Sequence, residues 1–429
     1  MDPKGKQLLA STGQSLEKIS RLFGINLSSY LGKSYSFVLL VLFCFLSYMT
    51  WDNVCTGHCA NHIIKKFMIT LEYTLYVLLI FTMVITSLFH PEQFAFPRQE
   101  MLIIDSILES YGAQFSDKDI FIMKHLQDAV TVTLSLFFTM KCSYERITSN
   151  STELIWLSIH TWYSVICLLV IDGLLSHYVN DIYLRFRELN KIAAQHSKDK
   201  LLVSYINFTT ADAYDKRNDL VISKIRSIQH IHYTLTVLAM KVNANFSLHL
   251  LISSALCLNA IILNLYDIYH NMKTDENRSD TIVFQVIFIF CSVLRSLYIS
   301  YICQRTRNEV EYQIDVCMWK YAYDIILISL YIQSRRMTKI LHDVFLKHKS
   351  LRSEVIYFSL QLVHQDLVFT ACGLYEINIS LMCSIAGAIV TYLVMVIQLD
   401  VTEKFAIANT TQSYIADNST NNVSLLISQ

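Results

Sequence analysis

Four side chains able to bind a soft metal, Cys55, His58, Cys59 and His62, fall within eight residues of one another. Thiolate and imidazole suit zinc, but a closed zinc site ordinarily draws a second ligand pair at a recognisable spacing, and none follows here. No metal or cofactor is assigned, and a disulfide in an oxidising exterior, Cys55 with Cys59 or with Cys142, is the favoured reading. The sequence contains no Gly-rich phosphate loop, nucleophile elbow or His-Glu zinc-protease motif, so an enzyme has no residues to stand on.

The chemistry that remains is binding and conduction. Ser384, Ala388, Thr391, Met395 and Gln398 recur at helical spacing along an otherwise apolar segment. Such a stripe of small and polar side chains either lines water or lets helices pack closely, and spacing alone leaves both readings open. Asp400 follows it, as an ordinary helix-end charge or, in four copies around an axis, as an acidic ring favouring cations. Aromatic and polar side chains gather in the outer halves of earlier apolar segments. The candidate ligand contacts among them are Glu72, Tyr73, Tyr76, Phe137, Trp156, His160, Tyr163, Asn259, Tyr266, Gln285 and Phe288. Aromatic walls with a few polar anchors suit a small organic ligand, although Tyr and Trp near a membrane surface also act as interfacial anchors. Glu72 is the strongest candidate, because an ionisable residue inside a span must face protein or water. Asp128, Asp172 and Arg295 share that property nearer the cytosolic side and are expected to pair among the helices.

The elements that hold these residues follow from composition. Of 429 residues, 53% are hydrophobic and 16% charged, and the mean hydropathy of +0.38 lies on the apolar side of what a water-soluble domain exposes. Lys+Arg and Asp+Glu balance at 35 each, so no global charge points to nucleic acid. With only 9 Gly and 3 Pro, the chain reads as helices joined by loops, without the broken helices typical of secondary transporters. The first strong apolar run begins near Tyr35, too far in for a cleaved signal peptide, so the first membrane helix is expected to direct its own insertion.

About 20 apolar residues cross a bilayer as helix. Seven stretches qualify: Tyr35–Thr50, Phe67–Phe89, Phe121–Met140, Leu154–Tyr178, Phe246–Tyr269, Thr281–Cys303 and Ile377–Leu399. The third is the weakest, interrupted by Lys124 and Asp128. Lys and Arg concentrate in the N-terminal arm and in alternate loops, while the C-terminal tail holds Lys404 alone, which places the N-terminus inside and the C-terminus outside. The sequons at Asn150, Asn277, Asn409, Asn418 and Asn422 fall on the predicted outer side, although Asn207 and Asn245 begin sequons on the inner side. Seven spans with this polarity reverse the arrangement of a G-protein-coupled receptor.

The resulting fold class is all-α, a seven-transmembrane-helix protein whose long helices extend into a cytosolic assembly domain. Its predicted parts are a cytosolic arm (1–33), a six-helix ligand-binding region (34–303) with helical cytosolic extensions (181–245), cytosolic helices (304–376), a pore-lining seventh helix (377–399) and an extracellular tail (400–429). Charged residues between apolar ones at three-to-four spacing mark the extensions as amphipathic; they are expected to pack together beneath the membrane, with lipid-surface helices as the rival reading. The short apolar patches Ile325–Ile332 and Val355–Val363 belong with them.

The last span carries the most specific text: Phe369-Thr-Ala-Cys-Gly-Leu-Tyr-Glu-Ile-Asn, then Thr391-Tyr392, five apolar residues, Gln398 and Leu399. That arrangement resembles the insect gustatory receptor family, related to the odorant receptors, with Leu399 standing where the family has Phe. Span number, polarity, chain length and long inner loops agree with the resemblance. It implies a tetrameric or heteromeric, ligand-gated, non-selective cation channel in the plasma membrane of sensory neurons, passing Na, K and Ca. Gln398 and Leu399 would form the outer gate. Sugar-type members are expected to carry an acidic residue after Thr-Tyr, where this chain has Leu393; a bitter plant metabolite is the first choice of tastant and fructose the second. A membrane transporter is the rival of another class.

Overall fold

The computed structural model describes residues 14–25, 29–56, 63–89, 98–113, 128–140, 153–198, 211–273, 279–333 and 367–399, with isolated residues between and just beyond them. Nearly all of these are helical. In order they form α1 (Gln14–Leu22), α2 (Tyr30–Thr56), α3 (Ile63–Phe89), α4 (Arg98–Ser110), α5 (Asp128–Met140), α6 (Glu153–Lys198), α7 (Ala211–Lys273), α8 (Ser279–Gln333), the short strands β1 (Thr370–Ala371) and β2 (Tyr375–Glu376), and α9 (Ile379–Leu399).

Six of these helices are long and apolar enough to cross a membrane. The 27 residues of α2 and of α3 give helices of roughly 40 Å, enough for a hydrocarbon core of about 30 Å. The expected third span appears as the shorter helix α5; its predicted start at Phe121 lies among residues only partly described. Helices α6, α7 and α8 run for 46, 63 and 55 residues, or roughly 70 to 95 Å, far beyond the bilayer. Pro3, Pro91 and Pro97 all fall outside them, so no missing N–H interrupts their ladders. The patch Ile325–Ile332 is thereby the distal part of α8, continuous with the sixth span.

Helix α6 is the axis of the subunit, with α8, α7, α2, α3 and α1 all against it. Its Ile171, Leu174, Val179, Ile182, Phe186 and Leu189 are fully buried, facing Leu235, Leu238 and Phe246 of α7 and Ile302 and Val310 of α8. Where this core lies beyond the membrane, apolar burial drives its assembly. Within the membrane, close packing and internal hydrogen bonds must do that work. Accordingly, hydroxyls of Thr70, Thr74, Thr86, Ser135, Thr139, Ser164 and Ser176 bond carbonyls one turn back on their own helices, so that these donors are satisfied within the helix.

Candidate functional site

The sequence forms α9 as an uninterrupted apolar helix, and its surroundings divide it into two faces. Ile389, Leu393 and Val396 rest against Met68 of α3 and Ile262, Leu263 and Tyr266 of α7. The stripe Ser384, Ala388, Thr391, Met395, Gln398 lies roughly 150° around the helix from that contact, at 100° per residue. Ser384, Thr391, Met395 and Gln398 are exposed in the single subunit and Ala388 is half-buried, with Tyr392 and Leu399 exposed beside them. The exposed Thr391 hydroxyl donates to the Gly387 carbonyl of its own helix at 2.9 Å. Asp400 lies outside the described residues, as do Cys59 and Cys142 of the expected disulfide and the sequons at Asn150, Asn277, Asn409, Asn418 and Asn422, while Cys55 falls in the last turn of α2.

The eleven candidate ligand residues do not meet in one place. One group is a stacked column between α2, α3 and α6. His160, only 1% exposed, lies between the rings of Phe43 and Tyr73, with centroids 5.0 and 4.6 Å away, and its Nε2 has no hydrogen-bond partner. The Tyr73 hydroxyl reaches the Ser47 carbonyl and the Thr50 hydroxyl, while Tyr163 tilts against Phe43 and Phe23. A groove of about 300 Å³ opens beside this column, lined by Ser47, Tyr48, Trp51, Tyr73, Thr74 and Val77. Trp156 is exposed and Glu72 half-buried on the same flank.

A second group is built on Phe288, whose ring meets Phe138 edge-on at 5.1 Å, with Phe137 next to Phe138; Tyr76 is buried in the same extended core. Gln285, one turn before Phe288, is buried with its Oε1 unpartnered. The third group lies behind the packed face of α9: the Asn259 amide donates to the Met68 carbonyl at 3.2 Å, and Tyr266 is buried in the cluster that receives Val396. Phe43, Ser47 and Trp51, which complete the first group, were not among the sequence candidates; an apolar α2 without a polar marker offered no signal.

The ionisable residues of the spans pair as expected. Asp172 of α6 is bonded by Arg295 of α8 and by His249 Nε2 of α7 at 2.7 Å, and Arg295 also donates to Ser253 Oγ at 3.0 Å. Asp128 meets His177 at 3.2 Å. The histidine partners were not singled out in the sequence, because one buried histidine among many apolar neighbours looks like any other. Farther along α6, Arg185 donates two bonds to the Asp105 carboxylate of α4 at 2.9 and 2.8 Å. Burial pushes that carboxyl above its ordinary range while Arg185 pulls it down.

A short hairpin closes the approach to α9. β1 and β2 pair antiparallel, Thr370 opposite Glu376, around a turn in which Cys372 and Gly373 take positive φ of 51° and 71°. Glycine adopts that conformation without strain, which explains the Ala-Cys-Gly text at this point. The Tyr375 hydroxyl is bonded to Ser254 Oγ of α7, and burial raises the phenol above its usual range. Asn378 accepts from the Leu381 N–H at 3.0 Å, capping α9.

A bundle of membrane-length helices, three of them continuing far beyond a bilayer's thickness, with an aromatic column and a last helix bared on one side, defines a multi-pass membrane protein. The chain belongs to the seven-transmembrane chemosensory receptor family, whose profile matches residues 20–403, a family of receptors rather than enzymes. It is similar to gustatory receptor 28b of Drosophila melanogaster, 24% identical over 182 residues covering 41% of this chain and 34% of that protein. It is also similar to gustatory receptor 2a of the same fly, 42% identical over 50 residues, 12% of each. The matched segment thus spans about a third of the length of the first relative. Among solved structures it is similar to olfactory receptor OR5 of Machilis hrabei, alone and in complex with eugenol, with TM-scores of 0.59 and 0.58 at 12% identity, covering 90% of this chain and 97% of that one. The resemblance read from Thr391, Tyr392 and Gln398 therefore holds at the level of family and fold.

Proposed function

We propose that this protein is a gustatory receptor acting as a ligand-gated, non-selective cation channel of sensory neurons, with α9 from four subunits lining the pore and the C-terminus outside. The observation that carries the reading is the division of α9. Ile389, Leu393 and Val396 rest on its own subunit, while the small and polar stripe lies on the exposed side together with Val390, Tyr392 and Val394, where an axis of symmetry would place water and neighbouring subunits. Gln398 and Leu399 would form the outer constriction and Asp400 a cation-attracting ring.

The tastant is read as a small organic molecule, first a bitter plant metabolite and second fructose. Aromatic stacking around His160 and its unpartnered Nε2 suit a largely apolar ligand with one hydrogen-bonding group. Leu393 supports the same order, since it packs into an apolar cluster where a sugar-type acidic residue would be buried. The eugenol complex of the Machilis hrabei receptor is a precedent for a phenolic ligand on this fold.

The full chain expressed alone in oocytes is expected to pass inward current on application of compounds from a panel of plant alkaloids and sugars. In a Cys383→Ser background, cysteines placed at Ser384, Thr391 or Gln398 are expected to let a charged thiol reagent block that current, whereas cysteines at Ile389 or Val396 are not. Block at the packed positions with none on the stripe would reverse the faces and refute this pore. Saturable uptake without current would favour a transporter.

A further inference from the structure

Along its length α9 rests on the bundle through Leu381, Ile389, Leu393 and Val396, but its base is gripped from two sides. On α7, Asn243 Oδ1 accepts from the Thr370 N–H at 3.0 Å, and Ser254 Oγ bonds the Tyr375 hydroxyl. On α8, Arg307 donates to Glu376 at 2.8 Å, and Gln304 Oε1 accepts from the Ile379 N–H at 2.9 Å. The hairpin between these grips is stiff. Ile377 N donates to the Phe369 carbonyl at 2.8 Å, and Phe369 and Ala371 are buried against the core. A close-packed element of this kind moves as a unit instead of absorbing a displacement in its side chains.

The same stretch of α7 meets the buried ion pair. Ser253, the neighbour of Ser254, accepts from Arg295 of α8, whose other partner is Asp172 of α6, and His249 one turn earlier completes the set. Three helices that contribute candidate ligand residues or pack beside them are thus bonded together next to the point where α7 holds the hairpin. Any shear between α7 and α8 that disturbs this set must displace β1 and β2, and with them the capped start of α9.

We propose that the β1–β2 hairpin is the joint that transmits relative movement of α7 and α8 to α9, with Tyr375 as its positioning residue on the α7 side. The inference rests on the pore reading of α9. The Tyr375 hydroxyl bonds Ser254, which is neither a candidate ligand residue nor part of the stripe, so its removal should act on opening and leave binding alone.

Tyr375→Phe, Ser254→Ala and the double variant of the full chain are to be compared in oocytes with caffeine and fructose as probes, surface protein being quantified by external labelling. Each single variant is expected to keep its surface level and its half-maximal concentration within about twofold while the maximal current falls about 5-fold or more, the double falling no further. Unchanged maximal currents, a shift in half-maximal concentration alone, or an additive double variant would overturn the joint. Should wild type pass no current to either probe, the pore reading is what has failed, and thermal unfolding of the purified receptor still reads the joint. Equal losses of Tm in both singles and the double support it, and additive losses overturn it.

Discussion

Asp172 and Arg295 show most directly how single residues are constrained by this fold. Each is nearly enclosed by apolar helices, with side chains 6% and 11% exposed, and neither charge is affordable there without the other. Asp172→Asn keeps the shape but leaves the Arg295 guanidinium without its counter-charge, a change expected to cost roughly 3–5 kcal/mol. The double variant Asp172→Asn with Arg295→Gln is expected to recover most of that loss. Thermal unfolding of the purified protein measures both, and a wild-type Tm in the single variant would show that the pair contributes nothing. That these residues must pair was legible from the sequence, because a charge in a span has few other options. Which partners they take was not, since His249 lies 77 positions from Asp172 and Ser253 lies 42 from Arg295 in the chain.

At the scale of the element, one glycine sets how closely three helices meet. A Cβ at Gly173 of α6 would stand 3.0 Å from Leu16 Cδ1 of α1 and 3.2 Å from Thr131 Oγ1 of α5. Gly173→Ala should therefore push on both neighbours, with a loss of about 1–3 kcal/mol, and Gly173→Leu should abolish the monodisperse protein in detergent. Gly387, on α9, has no atom within 4 Å of such a Cβ in the single subunit, so Gly387→Ala is expected to leave the Tm of the isolated subunit unchanged. A larger loss at Gly387 than at Gly173 would contradict this packing. Helix type and approximate span ends were readable because hydrophobic runs and charged interruptions report the membrane directly. The continuity of α6, α7 and α8 far beyond it was only suggested by three-to-four spacing, and the β1–β2 hairpin was legible only as an Ala-Cys-Gly turn before the last helix, without its strand pairing.

For the whole molecule, polarity and assembly are the properties to test. An epitope tag after Gln429 is expected to be reached by antibody on intact cells, with a tag before Met1 reached only after permeabilisation. The reverse labelling would invert the molecule and remove Asp400 from the outer mouth. Four subunits per particle are expected for the purified receptor by light scattering. A monomer would leave the stripe of α9 facing lipid, where Gln398 and Thr391 are poorly placed.

The sequence alone determined that this chain lives in a membrane, that its elements are helices, and that its last span carries the text of a chemosensory receptor family. Those properties are local: apolar length, charge placement and a short motif are each contained in one stretch of chain. Only the tertiary structure decided that the eleven candidate ligand residues fall into three groups, that His160 lies between Phe43 and Tyr73, and that Ser254 holds the turn before α9. Each of those depends on how helices distant in the chain rotate and cross, and a helix of one composition can present any of its faces until its neighbours choose one.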